Sequence, residues 1–310
     1  MVLESRFPEL NVPEILNPGE TSISPHAIEA LSAILCSYNS PDDVFNSLGE
    51  DPLVSIMKAT DPELSEHLSE GKQKLDGEPG HFILRRTGLE KLSLPLAQLT
   101  AIAVSSFFGH PTKPSPRSPV IAWPIDYTAE DGTPGVTFSQ TNAEASMHTD
   151  TQYFSEPEPY FGLFCIKPAK DGGGMSQVID SRVVLNNLSE VDGEDLLTEL
   201  ARPFPFRVPN IFTKDPYNQV PEITWAPIIS SNGIRYRKDT LISALSVDGV
   251  SVPDSQLSAL ESFEEALGRA PITNYKLGAG DVLFVNNHRL LHGRTAFEDA
   301  DRLMLRVRVK

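Results

Sequence analysis

The chain has 310 residues, of which 40% are apolar and 22% charged, with 15 Phe and only two cysteines, Cys36 and Cys165. A chain of this length buries about 75% of its unfolded surface, which excludes wholesale disorder and any need for a disulfide framework. The formal net charge of −16 argues against nucleic acid or an anionic membrane as the main partner, and no apolar run reaches the roughly 18 residues of a membrane span.

The start, MVLESRFPEL, lacks the apolar segment of a secretory signal. With two unpaired cysteines this makes a reduced, cytoplasmic setting the expectation. Ser24-Pro25 reads as an N-cap followed by proline at the first helical position, and Ile28, Leu31, Ile34 and Leu35 then share one face. Residues 39–80 carry Asp42, Asp43, Glu50, Asp51, Asp61, Glu63, Glu66 and Glu70, which read as a solvated helical face. A further helix is expected at 94–108, ending at Gly109. Residues 1–118 are therefore expected to be mostly helical.

From 119 the texture changes to short β-like runs: Val120–Trp123, Val136–Ser139, Tyr160–Lys167, Ser176–Asp180, Ile223–Ser230, Ile234–Arg237, Ile272–Lys276, Asp281–Val285 and Leu303–Val309. Gly132, Gly135, Gly172–Gly174 and Gly278–Gly280 punctuate them, and Asn232-Gly233 between two apolar runs signals a hairpin. Two helices interrupt the strands. One lies near 183–201. The other lies near 256–267, with Leu257, Leu260, Phe263 and Leu267 periodic and Gly268 as its stop. The 26 prolines, against 20 glycines, suit loops between short strands. Many short strands at this spacing favour a sandwich or barrel, and the absence of a composition break favours one domain over 1–310.

Three segments carry chemistry. In the first, Met147-His148-Thr149-Asp150, residues i and i+2 of an extended strand point to one side, so His148 and Asp150 present an imidazole and a carboxylate together. One more imidazole would complete a 2-His-1-carboxylate face, which leaves open positions and suits non-haem Fe(II). The second runs from Gly280 to Arg294: a glycine turn, an apolar strand, a polar corner, then His288 and His292. The two histidines compete for the ligand role. Their i,i+4 spacing would place both on one face of a helix, but no Glu follows His288 in the HExxH manner, so a metalloprotease reading fails. Glycine at 293 would let the backbone pass close to a metal pocket. The third is the period-two strand at the C-terminus, with Arg302, Met304, Arg306 and Arg308 on one face. Its plain reading is a half-buried strand with a solvated basic face; its other reading is a guanidinium fork aimed at a carboxylate.

His-Thr-Asp at 148–150, Asn-x5-His-Gly-Arg at 286–294 and Asp-Arg-x3-Arg at 301–306 together resemble the Fe(II)/2-oxoglutarate-dependent oxygenases. The branch resembled is that of the taurine dioxygenase and clavaminate synthase-like enzymes, which includes free amino-acid hydroxylases. The resemblance covers roughly 119–310. It implies a mainly β fold with flanking helices, a double-stranded β-helix (jelly-roll), with 181–270 as an insertion covering the site. It implies His148, Asp150 and His292 as iron ligands and leaves His288 as a supporting or structural residue. Arg302 matches the arginine that grips the distal carboxylate of 2-oxoglutarate, and Arg306 a second pocket arginine that holds a substrate carboxylate. Gly173-Gly174-Met175-Ser176 resembles the family's Gly-Gly-x-Thr, so Ser176 is expected to help bind the cosubstrate. Asn142 stands where the family has a polar pocket residue, and Glu144 is a candidate for a substrate ammonium.

The activity implied is oxidative decarboxylation of 2-oxoglutarate with O2, giving succinate and CO2 and hydroxylating a C–H bond of a small molecule. Asp150 is the carboxylate that halogenating members lack, so its presence argues for hydroxylation or desaturation. Gly233–Asp239 resembles the strand near the substrate side chain. Acidic residues hold a guanidinium there in arginine hydroxylases, whereas this chain has Arg237 and Lys238 before Asp239. A neutral or anionic distal group on a free or carrier-linked amino acid is the expectation. The alternatives are a desaturase on the same scaffold, a zinc hydrolase using the same three ligands, or a binding module.

Overall fold

The computed structural model describes residues 21–114, 118, 120–125, 141–213 and 221–310, with only the backbone described for 189–194 and 211. The expected strand at 136–139, the turn glycines 132 and 135, and the N-terminal ten residues lie outside the described residues.

Five helices come first: α1 (Pro25–Leu35), α2 (Pro41–Leu48), α3 (Glu50–Thr60), α4 (Pro62–Asp76) and, after strand β1 (His81–Leu84), α5 (Leu94–Ser105). Ser24 caps α1 as expected, its hydroxyl accepting from Ala27 N at 3.1 Å. Leu31 is fully buried, with Ile28, Ile34 and Leu35 packed around it. The acidic segment is not uniformly solvated. Asp42 is 4% exposed and Asp61 is 5% exposed. Each is buried because it satisfies backbone donors that would otherwise be orphaned. Asp61 caps α4 through Leu64 N at 3.1 Å and also accepts from Ser24 N at 2.6 Å. Asp42 accepts from Ile121 N at 2.7 Å, and burial raises its pKa. Helix α5 ends at Ser105 rather than 108; Phe107 and Phe108 lie in the turn that leads to Gly109, whose φ is +147°.

The strands that follow are β2 (Pro111–Thr112), β3 (Trp123–Pro124), β4 (Ala145–His148), β5 (Tyr160–Lys167) and β6 (Ser176–Asp180). Then come α6 (Ser181–Leu200), β7 (Pro203–Arg207), α7 (Asn210–Thr213), β8 (Ile223–Pro227), β9 (Ile229–Ser230), β10 (Gly233–Ile234), α8 (Lys238–Leu245) and α9 (Asp254–Arg269). The chain ends with β11 (Thr273–Tyr275), β12 (Val282–Asn286), β13 (Leu290–Arg294) and β14 (Leu303–Val309). The runs at 160–167, 176–180 and 303–309 match expectation residue for residue. Those at 120–123 and 234–237 shrink to strands of two residues at their edges, and 223–230 divides in two. The hairpin at 229–234 forms, with Ser230 opposite Gly233. Helix α9 runs through Gly268 to Arg269, because a glycine within a helix costs only about 1 kcal/mol against alanine. Four helices, not two, interrupt the described strands from β2 onward.

All strand pairings among the described residues are antiparallel. One sheet has the order β1-β12-β5-β14-β2, with β3 also on β14; a second has the order β11-β6-β13-β4. Strand periodicity sorts their side chains into layers. On β12, Val282 and Phe284 join the cluster under α1–α5, whereas Leu283 and Val285 face a second cluster with Phe161, Cys165 and Met304. That second cluster also contains Val178 of β6 and Leu290 of β13, so the two sheets pack face to face. The alternate residues Ile179 and Leu291 join a third cluster with α6, α9 and the β7–β8 hairpin. The mouth between the sheets is where β4, β13 and β14 bring their polar residues. No described helix is long and apolar enough to cross a membrane.

Candidate metal centre

Strands β4 and β13 are neighbours, and His148 stands directly opposite His292 in their register. The rings lie 4.3 Å apart between centroids, at 48°. Asp150 is not on a continuous strand with His148. The strand ends at His148, and Thr149–Thr151 turn the chain, with Thr151 at φ +52°. The i,i+2 argument therefore reaches the right pair by the wrong geometry: a held turn, rather than a pleat, aims the carboxylate. Tyr236 holds one side of that turn, its carbonyl accepting from Thr149 N at 2.7 Å and its N–H donating to Thr149 Oγ1 at 3.0 Å. Asn287 holds the other. Its Oδ1 accepts from Asp150 N at 2.7 Å, and its Nδ2 donates to the carbonyls of Asp150 at 3.1 Å and Glu158 at 2.8 Å.

The result is one cluster. The ligand atoms of His148, Asp150 and His292 all lie within 4.8 Å of one another, and all three residues are buried. Asp150 Oδ1 is 3.6 Å from His148 Nε2 and 3.7 Å from His292 Nε2. His148 donates Nδ1–H to the Ser146 carbonyl at 2.8 Å. A carbonyl can only accept, which fixes the tautomer and leaves the Nε2 lone pair facing the cluster. Among the described residues, neither ring nitrogen of His292 finds a hydrogen-bond partner, although both are buried. A buried polar atom left so is costly unless something else satisfies it, and two imidazoles with a carboxylate suit a divalent cation.

The charges fit that reading. Burial pushes the His292 imidazole down to about 3, helped by His148, and lowers His148 as well. Burial alone would raise Asp150, but the Arg306 and Arg308 guanidiniums and the two histidines hold it well below the carboxylate range. At neutral pH the set is two neutral imidazoles and one carboxylate, the protonation state that metal binding requires.

One pH effect follows. Elsewhere in the fold half-buried His81, against the Tyr275 hydroxyl at 2.5 Å, is also pushed down to about 4, mainly by desolvation. The unfolded chain protonates these histidines below about pH 6.5 while the folded chain does not, so stability falls as pH drops from about 6.5 toward 3–4. Between pH 7 and 5, His81 and His292 should each remove about 2 kcal/mol. Urea midpoints of the metal-free protein at pH 7.5 and 5.0 check this; equal midpoints would contradict it.

Beside the cluster lies a pocket lined by Ser176, Arg294, Arg302 and Arg306 on its polar side, and by Leu163, Leu283 and Met304 on its apolar side. The basic face at the C-terminus is not solvated: Arg302, just before β14, and Arg306 and Arg308 on it are 7%, 8% and 9% exposed. Arg302 lies against Gly174, whose carbonyl accepts from Nη2 at 3.3 Å. A Cβ on Gly174, at φ +68°, would sit 2.8 Å from Arg302 Nε, whereas one on Gly173 would meet Ala296 and Phe297, so Gly174 alone of the pair clears space for the guanidinium. Arg294 donates to the carbonyls of Thr141, at 2.8 Å, and Ala143, tying the segment before β4 in place.

Other expectations need correction. His288 and His292 do not share a helix face. His292 is on strand β13, whereas His288 precedes it and faces the Pro157 carbonyl at 2.9 Å. A Cβ on Gly293 would meet the Ala145 carbonyl at 2.7 Å, so that glycine admits the neighbouring strand as well as lining the pocket. Asn142 and Glu144 are exposed and do not line the pocket, although Ala145 beside them does. Arg237 is 6% exposed and clamps Asp239 through Nε at 2.7 Å and Nη2 at 3.0 Å. Lys238 is exposed and pairs with Glu264. Sequence reasoning missed Asn287 and gave Arg308 no role. Asn286-Asn287 at the end of an apolar strand was visible, but nothing in the sequence says which backbone it would bridge.

The model of the taurine catabolism dioxygenase TauD, TfdA family matches residues 90–308. The dioxygenase str8 of Strobilurus tenacellus is 26% identical over 165 residues, 51% of this chain and 36% of that protein, so the match spans about a third of that relative's length. Among solved structures, an asparagine oxygenase in complex with Fe(II), 2S,3S-3-hydroxyasparagine and succinate superposes with a TM-score of 0.68 at 16% identity, covering 93% of this chain and 92% of that one. The non-heme iron oxygenase OrfP in complex with Fe and alpha-ketoglutaric acid gives 0.66 at 17% identity, covering 93% of each chain. At these identities the structural likeness is one of fold.

Proposed function

This chain belongs to the taurine catabolism dioxygenase TauD, TfdA family, and from that premise we propose that it is an Fe(II)- and 2-oxoglutarate-dependent dioxygenase. Its reaction is hydroxylation of an unactivated C–H bond in a small molecule: a free or carrier-linked amino acid or a related natural-product intermediate. The observation that carries the reading is the buried His148–Asp150–His292 cluster, with Asp150 Oδ1 facing both Nε2 atoms, opening on a pocket that holds three arginines. The two facing sheets are, on this reading, a double-stranded β-helix in a single oxygenase domain, with 181–270 as its cover. A cytoplasmic location is consistent with the two free cysteines.

The residues divide the work. His148, Asp150 and His292 hold ferrous iron, which with 2-oxoglutarate and O2 supplies the oxidising chemistry. Arg302 and Ser176 bind the distal carboxylate of 2-oxoglutarate; the guanidinium gives a fork matched to two oxygens, and the apolar wall around it excludes water. Arg306 orients a substrate carboxylate. Asn142 and Glu144, on the segment entering β4, and Arg237 stand outside the pocket lining, so they are candidates for parts of a substrate that extend beyond that pocket. Asp239 is already engaged by Arg237, so a guanidinium substrate would have to displace that pair. This favours a neutral or anionic distal group.

Anaerobic addition of Fe(II) and then 2-oxoglutarate tests the assignment. The weak visible absorption of the chelate should develop, and a panel of amino acids should include one that drives succinate release. Zinc binding with indifference to 2-oxoglutarate would point instead to a hydrolase or binding module. Arg302→Ala should weaken 2-oxoglutarate binding by about 1.5–3 kcal/mol, roughly 10- to 150-fold, as expected for a hydrogen bond to a charged group. Titration of the same absorption reads it, and unchanged affinity would remove Arg302 from the role.

A further inference from the structure

Arg308 is a buried charge that the proposed reaction does not use. It lies on the same face of β14 as Arg306, yet it is absent from the lining of the arginine pocket. Its guanidinium stacks over the Trp123 ring, 5.1 Å from the centroid. Its Nε is 3.4 Å from Asp150 Oδ2. Arg306 Nη1 reaches the same oxygen at 3.1 Å. Arg306 Nη1 also donates to Oδ1 at 3.3 Å, so the two oxygens differ in that Oδ1 faces the imidazoles while Oδ2 is the one that Arg308 meets.

On the reading of the cluster as an iron site, we propose that Arg308 is a positioning residue that reserves Asp150 Oδ2, so that the carboxylate offers the metal one oxygen instead of two. The consequence is in the number of places left. With two imidazoles and one carboxylate oxygen from the protein, a six-coordinate ion would keep three positions for other ligands, as the proposed cosubstrate and O2 require. A carboxylate binding through both oxygens would take one of them. Arg306 cannot be relied on for this task throughout, because it lines the pocket and is the group a substrate carboxylate would draw away. Arg308 is shielded from that exchange. Trp123 covers one side. The groups facing it are Asp150, Glu158 and Tyr153, and Glu158 is itself fixed by Thr151 Oγ1 at 2.6 Å and Thr112 Oγ1 at 3.2 Å.

The test is to compare wild type, Arg308→Met, Arg308→Lys and His148→Ala for Co(II) affinity, 2-oxoglutarate affinity of the anaerobic Fe(II) form, and melting temperature. Arg308→Met should hold Co(II) within about threefold of wild type, or more tightly, with an altered Co(II) absorption spectrum, while 2-oxoglutarate affinity falls at least tenfold. Arg308→Lys, which keeps the charge without the fork, should lose several-fold; it carries the test if the methionine variant does not fold. A merely structural role would lower the melting temperature and weaken both ligands together, and that outcome overturns the proposal. So does wild-type 2-oxoglutarate affinity in a folded Arg308→Met, or in Arg308→Lys should Arg308→Met fail to fold. If Co(II) binds wild type and His148→Ala alike, the iron site itself is wrong, and both readings fall.

Discussion

His148→Ala should abolish the visible absorption of the Fe(II)–2-oxoglutarate complex and bring succinate release down by well over 100-fold, while the protein stays folded. The scale follows from what metal sites already lose when only a supporting residue is removed, about 10- to 100-fold; removing a ligand costs more. Folding should survive for a physical reason. The His148 side chain contributes to the sheet mainly one bond to a nearby carbonyl, Ser146 O, and the β4–β13 pairing is made by backbone. His292→Ala should behave in the same way, since its ring nitrogens find no hydrogen-bond partner among the described residues. Circular dichroism, iron stoichiometry and succinate assays on the two variants decide it. Retained iron at one equivalent in either variant would show that the cation sits elsewhere.

The second large effect is expected at Asn287. Asn287→Ala removes one acceptor and two donors from the interior: the partners are Asp150 N, Asp150 O and Glu158 O. Asn287 is 1% exposed, so water cannot readily take over. Each buried group left without a partner costs about 1–3 kcal/mol, and a combined loss of about 3–5 kcal/mol is expected. The same bonds aim the Asp150 carboxylate, so metal affinity should fall by about 10- to 100-fold in whatever fraction folds. Asn287→Asp is the informative companion. It keeps an acceptor for Asp150 N but loses both donors and adds a buried charge, so it should be no better than alanine. Chemical denaturation together with Co(II) titration measures the two effects separately. A variant that loses stability but binds metal normally would show that the turn at 149–151 is held by Tyr236 alone.

Much of this was legible in the chain itself. The strands at 160–167, 176–180 and 303–309 were readable because short runs rich in β-branched, aromatic and other apolar residues, bounded by turn residues, favour strands, and the three signature segments were readable because few residue types suit the proposed chemistry. The local facts came through as well: Ser24 as a cap, the hairpin at 229–234, the periodic face of α9. What failed had a common cause. Asp42 and Asp61 read as solvated in the sequence because an isolated chain shows a carboxylate's charge but not the distant amide, such as Ile121 N, that it satisfies. Strand β1 was hidden inside a helical region because a four-residue run becomes a strand only when β12 offers it an edge.

The sequence by itself determined the residue types available for the proposed chemistry, the imidazole and carboxylate of His148 and Asp150, a second imidazole at His288 or His292, and the arginines from Arg302 to Arg308, since ligand type is a local property. Only the tertiary structure decided how they meet. The choice of His292 over His288, the turn that aims Asp150 under the grip of Asn287 and Tyr236, and the burial of Arg308 against Trp123 all depend on contacts between residues far apart in the chain. Those contacts form because buried polar groups must find partners, and which partner each finds is settled when the sheets pack.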